Sequence, residues 1–155
     1  MTRFDHLSVQ EQQSLFDAIP LITILVAGAD GEIDEKEAAS AEKLTHIRTF
    51  DERSEEVHDY YEQIDDMVES RINSYLKILS KTPLERKAEI STELAKLNPI
   101  LAKLETTYAA ALYQSFLSFA KHIARASGGF FRFLTIGPKE DKVIDLEMII
   151  PVEIA

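Results

Sequence analysis

The chain has no cysteine among its 155 residues. Disulfide bonds and thiolate metal sites are therefore excluded, and nothing in the composition supports an oxidising compartment. Long hydrophobic runs are also missing, because the most apolar stretch, residues 19–29, is about half as long as the roughly 20 residues that a membrane span needs. The N-terminal sequence lacks the apolar core of a signal peptide. We therefore expect a cytoplasmic protein that does not span a membrane.

Sequence motifs of the common enzyme classes are absent as well. The chain contains no G-x-S-x-G nucleophile motif, no glycine-rich phosphate loop and no H-E-x-x-H zinc motif. A carboxylate–metal hydrolase built inside a helical bundle needs two Glu-x-x-His pairs that point inward, and only Glu55 and His58 have this spacing. We therefore predict that the chain is not an enzyme and keep the metal hydrolase only as a remaining alternative.

The net charge of −10 is concentrated in about one quarter of the chain. Residues 30–70 contain 15 acidic and 4 basic side chains, whereas the other residues are almost neutral in sum. An acidic surface repels nucleic acid and anionic lipid, and it attracts cations or a basic partner. We expect a protein partner and no nucleic acid, while a solvated helix face is the simpler explanation of the same charge.

Helix signals recur along the chain. Ser8 and Glu11 form a capping box that starts a first helix, and Pro20 either kinks this helix or starts a second one that runs to about residue 29. Apolar residues then recur at spacings of three and four over residues 57–79 and again over residues 99–127. This periodicity predicts two long amphipathic helices.

The two ends of the chain resemble each other, and this similarity predicts the architecture. Residues 26–31 align with residues 123–128, and residues 33–37 align with residues 136–140 once the insert between them is skipped. In both copies an apolar helix closes on glycine, and a new helix opens with glutamate at its third position. Two such helix–loop–helix units would bury their apolar faces against each other. We therefore predict one all-α domain over residues 1–155, a bundle of six or seven helices built from two half-repeats.

The loop of the first half-repeat carries the densest group of carboxylates. Five acidic side chains fall within residues 30–37, and Gly31 can take the positive φ that a tight reversal needs. The stretch is similar to the second half of an EF-hand loop, with Asp30, Asp34 and Glu37 as the remaining side-chain ligands. The first half offers no side-chain oxygen, so a bound Mg²⁺, Ca²⁺ or Mn²⁺ would keep several waters. The alternative is that Asp34 and Glu37 only cap the helix that follows.

The segment around this loop resembles the core motif of the TerB-like family, the tellurite-resistance helical domain that also occurs in some membrane-anchored J-domain co-chaperones. The matching features are the apolar helix, the Ala-Asp-Gly turn at residues 29–31, Ile33, Glu37 and residues 47–50 before Asp51. The resemblance implies an all-helical fold of two halves, a place in cytosolic stress-response complexes, and divalent metal binding by acidic loop residues. It implicates Asp30 and Glu37 as ligands, together with Asp34 of the same loop.

The second half departs from the family pattern in the insert 129–134. A phenylalanine-rich stretch replaces the acidic turn there, and Phe130, Phe131 and Phe133 would each cost roughly 1.5–3 kcal/mol if they faced water. Such a loop either folds back to plug the bundle or presents a contact for a partner or a membrane surface. The alternative function is therefore a purely structural interaction domain that uses these rings and binds no ion.

The leading hypothesis combines the acidic loop with the acidic surface. It describes a non-enzymatic TerB-like module of a stress-response complex that holds a divalent cation through residues 30–37. The acidic face of residues 30–70 would contact a protein partner, for which a basic surface fits the charge. A homo-oligomer remains an open alternative.

Overall fold

The computed structural model of the chain describes residues 3–28, 43, 56–126 and 145–152. These residues contain α-helices and no β-strand, which confirms the predicted all-α class. None of the described helices is long and apolar enough to cross a membrane. The helices are α1 (Val9–Phe16), α2 (Ala18–Ala27), α3 (His58–Ile64), α4 (Val68–Ile78), α5 (Pro83–Ala95), α6 (Leu97–Leu101) and α7 (Thr106–Ala126).

Helix α2 lies at the centre of the described core. All ten of its residues are buried, because almost every one of them is apolar and no face of the helix is suited to water. Thr23, its one hydroxyl-bearing residue, donates to the carbonyl of Ile19 at 2.8 Å and so is satisfied within the helix. Helices α4, α5 and α7 pack against α2. The surrounding helices therefore turn their apolar faces toward this one element.

An aromatic cluster joins α3 to α1 and α7. Tyr60 has no exposed surface, and its hydroxyl donates to the carbonyl of Leu15 at 2.7 Å. Its ring meets the rings of Tyr61 and Phe116 edge to face, at centroid distances of 5.2 and 5.5 Å. Burial raises the pKa of Tyr60 well above its ordinary value of 10.0, so this hydroxyl keeps its proton in the folded chain.

The first helix begins where its capping box predicts. The Ser8 hydroxyl accepts from the N–H of Glu11 at 3.1 Å, and the Glu11 carboxylate accepts from the N–H of Ser8 at 2.9 Å. Pro83 occupies the first position of α5. The boundary between α1 and α2 lies at Asp17, three residues before Pro20. Pro20 lies in the first turn of α2, where its missing N–H breaks no helical hydrogen bond, so it helps to start a helix rather than kink one.

The predicted long helix over residues 57–79 is in fact two helices. The chain turns at residues 65–67 between α3 and α4, and the N–H of Met67 donates to the carbonyl of Ile64 at 3.0 Å instead of continuing the α-helical ladder. The prediction was wrong because the apolar spacing continues across the turn, where Ile64 and Val68 are both fully buried. The pattern reports a shared buried face rather than a continuous helix.

The predicted long helix over residues 99–127 is also interrupted. Helix α6 begins at Leu97, two residues before Pro99, and residues 102–105 separate it from α7. Glu105 accepts hydrogen bonds from two N–H groups in the first turn of α7, each at 3.3 Å. A carboxylate at this position caps the first turn of a helix, which is why a new helix begins at Thr106.

Residues 145–152 pack against α6 as irregular chain. The side chain of Asn98 donates to the carbonyl of Met148 at 3.0 Å and accepts from the N–H of Ile150 at 2.8 Å. Leu146 is fully buried and has a φ of 49°, a left-handed conformation that costs a non-glycine residue roughly 1–2 kcal/mol. Burial of a leucine side chain contributes roughly 1.5–3 kcal/mol and offsets this cost. The segment is therefore part of the core.

Glu11 links the beginning of α1 to the turn before α7. Its carboxylate binds the ammonium group of Lys103 in addition to the N–H of Ser8. The hydrogen bond from Lys103 is the largest cause that lowers the pKa of Glu11 below its ordinary value of 4.5. A lowered pKa means that the pair stabilises the fold above pH 4.5, and that this contribution is lost as the pH falls through the lowered pKa.

The pairing of Glu11 with Lys103 can be tested by NMR titration of the Glu11 side-chain carboxyl. We expect a pKa below 4.5 in the wild-type chain and a pKa closer to 4.5 in Lys103→Ala. The variant removes the cation but leaves the capping bond from Ser8 in place. An identical pKa in the two proteins would contradict the assigned ion pair.

Candidate functional site

The sequence-predicted site residues lie outside the described residues. They are the proposed cation ligands Asp30, Asp34 and Glu37 and the proposed partner contacts Phe130, Phe131 and Phe133. The structure does describe the helix ends that precede both groups, where α2 ends before Gly28 and α7 ends at Ala126. The geometry of the candidate site is therefore built from the end of α2.

A buried arginine holds the end of α2. Arg86 on α5 is 6% exposed, and its Nη2 atom donates to the carbonyl of Gly28 at 2.7 Å. The last carbonyls of a helix lack helical partners and carry partial negative charge, so a guanidinium both satisfies an acceptor and opposes the helix dipole. The acidic stretch 30–37 begins two residues after Gly28. The core therefore fixes the point from which this stretch starts.

Residue 28 must be a glycine because of this close approach. A Cβ atom at this position would lie 2.6 Å from the carbonyl oxygen of Ile24 and 3.0 Å from Nη2 of Arg86. The Ile24 oxygen belongs to the backbone of α2 and cannot rotate away, and the Arg86 side chain is itself buried. The φ of Gly28 is −89°, which any residue can adopt. The glycine is therefore required for space and not for an unusual conformation.

The charges that follow α2 in the sequence are strongly unequal. Residues 30–37 contain five carboxylates and one lysine, and Arg86 supplies one buried positive charge where the stretch begins. The surplus of negative charge favours a bound cation or a basic partner. Carboxylate oxygens are also the ligands that Mg²⁺ and Ca²⁺ prefer.

The described residues offer no competing metal centre. Within residues 3–28, 43, 56–126 and 145–152, no three His, Asp or Glu side chains come together in a way that could hold a metal ion. His58 pairs instead with Glu62, one turn further along α3, at 3.1 Å. Glu55, the other member of the Glu-x-x-His pair, lies outside the described residues. The hydrolase alternative therefore gains no support from the described side chains.

A second polar cluster lies between the α1–α2 junction and α4, around one buried carboxylate. Asp17 is 1% exposed, and its carboxylate accepts from Nε and Nη2 of Arg71 at 3.0 and 2.8 Å. It also accepts from the Tyr75 hydroxyl at 2.6 Å and from the Gln13 amide at 2.9 Å. Each carboxylate oxygen thus receives two hydrogen bonds, which fills its acceptor capacity. The cluster is structural, because no lone pair remains for a ligand.

Proton positions in this cluster are fixed by its hydrogen bonds and its burial. The hydrogen bond to Asp17 is the largest cause that raises the pKa of Arg71. Burial, followed by the hydrogen bond to Asp17, raises the pKa of Tyr75 well above 10.0. Both donors therefore keep their protons at neutral pH, and the cluster holds one arrangement there.

In a third cluster, Asp59 of the acidic surface binds two side chains of the same chain. The Tyr108 hydroxyl donates to Asp59 at 2.7 Å, and Nε of Arg3 lies 3.2 Å from the other Asp59 oxygen. The Arg3 guanidinium also lies over the Tyr108 ring, 4.4 Å from its centroid. Burial, and then the hydrogen bond to Asp59, raises the pKa of Tyr108. Exposed carboxylates in this part of the chain are those of Glu56, Glu62 and Asp66.

Sequence reasoning missed Arg86, although its position carries a recognisable signal. Arg86 precedes Ile90 by four residues and Leu94 by eight, and all three are buried on one face of α5. A charged residue on an apolar stripe is rarely buried unless it is paired. Asp17 carries the same signal, since apolar residues flank it on both sides.

The structure thus describes the end of α2 and the buried guanidinium of Arg86, and the candidate site is the acidic stretch that follows Gly28 in the sequence. Its chemistry suits a hard cation or a basic partner. Comparisons with protein-family models, with curated proteins and with solved structures give no match to this chain.

Proposed function

We propose that the chain is a non-enzymatic module of TerB-like type that binds Mg²⁺, Mn²⁺ or Ca²⁺ through Asp30, Asp34 and Glu37. The observation that supports this proposal is the hydrogen bond from Nη2 of Arg86 to the carbonyl oxygen of Gly28, at 2.7 Å. This bond fixes the position of the residue that precedes the acidic stretch by two. A loop that starts from a fixed point loses less conformational entropy when it closes around an ion. Water molecules complete the coordination, as is usual for these cations when few carboxylates bind them.

The same proposal includes the finer architecture, a helical bundle built from two helix–loop–helix halves. Helix α2 with the stretch after it forms the first half, and α7 with the stretch after it forms the second. The packing of α2 against α7 supports this arrangement. Two equivalent apolar helices are expected to meet at the centre of such a pair.

The acidic surface of residues 30–70 is the proposed contact for a basic protein in a cytosolic stress-response complex. Glu56, Glu62 and Asp66 are exposed and support this role. A surface of one charge sign accelerates association with a partner of the opposite sign and makes the rate depend on salt.

Isothermal titration calorimetry with Mg²⁺, Mn²⁺ and Ca²⁺ tests the cation site. We expect saturable binding to the wild-type chain, and affinity that is lower by about tenfold or more in Asp30→Asn and in Glu37→Gln. Asp66→Asn is the matched control, because it removes the same charge from an exposed residue between α3 and α4. The control should bind like the wild type.

Two results would reject the cation site. One is an absence of binding heat in the wild-type chain with all three cations. The other is an equal loss of affinity in the loop variants and in Asp66→Asn, which would assign the effect to net charge rather than to ligands.

A further inference from the structure

The solvent-facing side of α4 carries a charge pattern that reverses about its midpoint. Asp66, just before the helix, and Glu69 in its first turn are acidic, Lys77 in its last turn is basic, and the residues between them are small and polar. They recur at helical spacing and so form one stripe, away from the buried Val68 and Ile72. The members of this α4 stripe are Asp66, Glu69, Ser70, Asn73, Ser74 and Lys77, of which Glu69 is half-buried and the others are exposed.

We propose that the α4 stripe is the interface of a two-fold dimer in which the α4 helices of two copies pack antiparallel. In such an interface residue i of one copy contacts residue j of the other, and j contacts i, so the surface must complement its own rotated image. The α4 stripe meets this condition. A two-fold axis near Asn73 brings Glu69 opposite Lys77 of the second copy, and Lys77 opposite Glu69 of the second copy. The dimer does not depend on cation binding.

Spacing along the helix fits this register. Glu69 lies four residues before Asn73 and Lys77 lies four residues after it, so each is about 6 Å from the axis along the helix. The side chains nearest the axis are short, and the Ser74 hydroxyl turns back to donate to the carbonyl of Ser70 at 3.1 Å. Short side chains let the two helices approach closely, and their antiparallel dipoles attract each other.

An exposed isoleucine lies beside the stripe. Ile78, the last residue of α4, is 75% exposed, and a large aliphatic side chain in water is unfavourable. In the same register it lies opposite Val68 of the second copy, which is fully buried, so Ile78 borders the interface without an apolar partner across it. The dimer would thus contain two reciprocal ion pairs around a small polar centre.

The dimer is expected to be weak. One pair of helices buries less than the roughly 800 Å² per partner that a stable interface needs, and each copy carries a net charge of −10. We therefore expect a Kd between about 1 μM and 1 mM. The same order of charges also complements the dipole of an isolated α4 helix, so the test must separate pairing between copies from an effect within one chain.

Sedimentation velocity of charge-reversal variants over a concentration series distinguishes pairing between copies from an effect within one chain. Glu69→Lys places two lysines opposite each other and Lys77→Glu places two glutamates opposite each other, so each variant should raise the dimer Kd by about tenfold or more. An equimolar mixture of the two variants should dimerise again, because both facing pairs are then opposite in charge. The chain that carries both reversals should dimerise too.

The controls show whether a change in the dimer Kd comes from the facing ion pairs, from the net charge of the chain or from unfolding. Lys121→Glu on α7 changes an exposed lysine in the same way and should leave Kd within about threefold of the wild type. Both reversal variants keep a net negative charge, so overall attraction cannot cause the mixture to associate. An unfolded variant would not be rescued by mixing.

Three results would overturn the dimer. They are a wild-type chain that stays monomeric throughout the series, a mixture of the two variants that stays monomeric, and a dimer that neither reversal weakens. The last result would place the contact elsewhere on the chain.

Discussion

Arg71→Met is expected to lower the free energy of unfolding by about 3–5 kcal/mol. The substitution removes two of the four hydrogen bonds to the Asp17 carboxylate, which is 1% exposed. It leaves that carboxylate buried without the guanidinium that balances its charge, and a buried unbalanced charge is far more costly than an exposed one. Urea denaturation followed by circular dichroism measures the loss.

Two further variants show whether this loss comes from the Asp17–Arg71 pair. Arg125→Met makes the same change at an exposed site near the end of α7 and should alter stability by no more than about 0.5 kcal/mol. Asp17→Leu combined with Arg71→Met should cost less than Arg71→Met alone, because no charge is then left buried. A double variant that is less stable than Arg71→Met alone would contradict this account of the pair.

Ile22→Ala is expected to lower the free energy of unfolding by about 2–5 kcal/mol. Ile22 lies in the middle of α2 and has no exposed surface. Helices α4, α5 and α7 pack around α2, so the cavity cannot close by the movement of a single neighbour. In thermal unfolding, the loss corresponds to a Tm lower by about 5–15 °C for a chain of this size.

Ile78→Ala is the matched control for Ile22→Ala, because the same atoms are removed from a side chain that is 75% exposed. Its stability should change by no more than about 0.5 kcal/mol when measured at concentrations where the chain is monomeric. Equal losses in the two variants would contradict the central position of α2.

Structure that depends on near neighbours in the sequence could be predicted. The capping box of Ser8 and Glu11 needs only residues within one turn, and Pro83 fits the first position of α5 for reasons internal to that helix. The buried character of α2 also follows from its composition, since a helix that is apolar on every side has to be enclosed.

Helix boundaries that depend on distant contacts could not be predicted. The boundary between α1 and α2 lies at Asp17, whose carboxylate binds Arg71, 54 residues away in the sequence. The sequence suggested a later boundary, at Pro20. The turn at residues 65–67 is hidden because the buried residues keep helical spacing across it. An apolar stripe defines which face is buried, and it does not define how many helices carry that face.

The sequence accounts for only part of the proposed site. Its acidic residues are evident from the sequence as a dense group of carboxylates after an apolar helix, and their role as ligands stays a prediction. The anchor of that group could not be located, because Arg86 meets Gly28 across 58 residues of sequence. Sequence spacing marks Arg86 as a charge on an apolar stripe, and only the fold identifies the carbonyl that it binds.

The most direct test of the proposed cation site is an anomalous difference map from a crystal soaked in Mn²⁺. We predict a peak contacted by carboxylate oxygens of Asp30, Asp34 and Glu37, with water molecules in the remaining coordination positions. A map without a peak at these residues, with the three carboxylates hydrogen-bonded only to nearby backbone N–H groups or to solvent, would contradict the proposal.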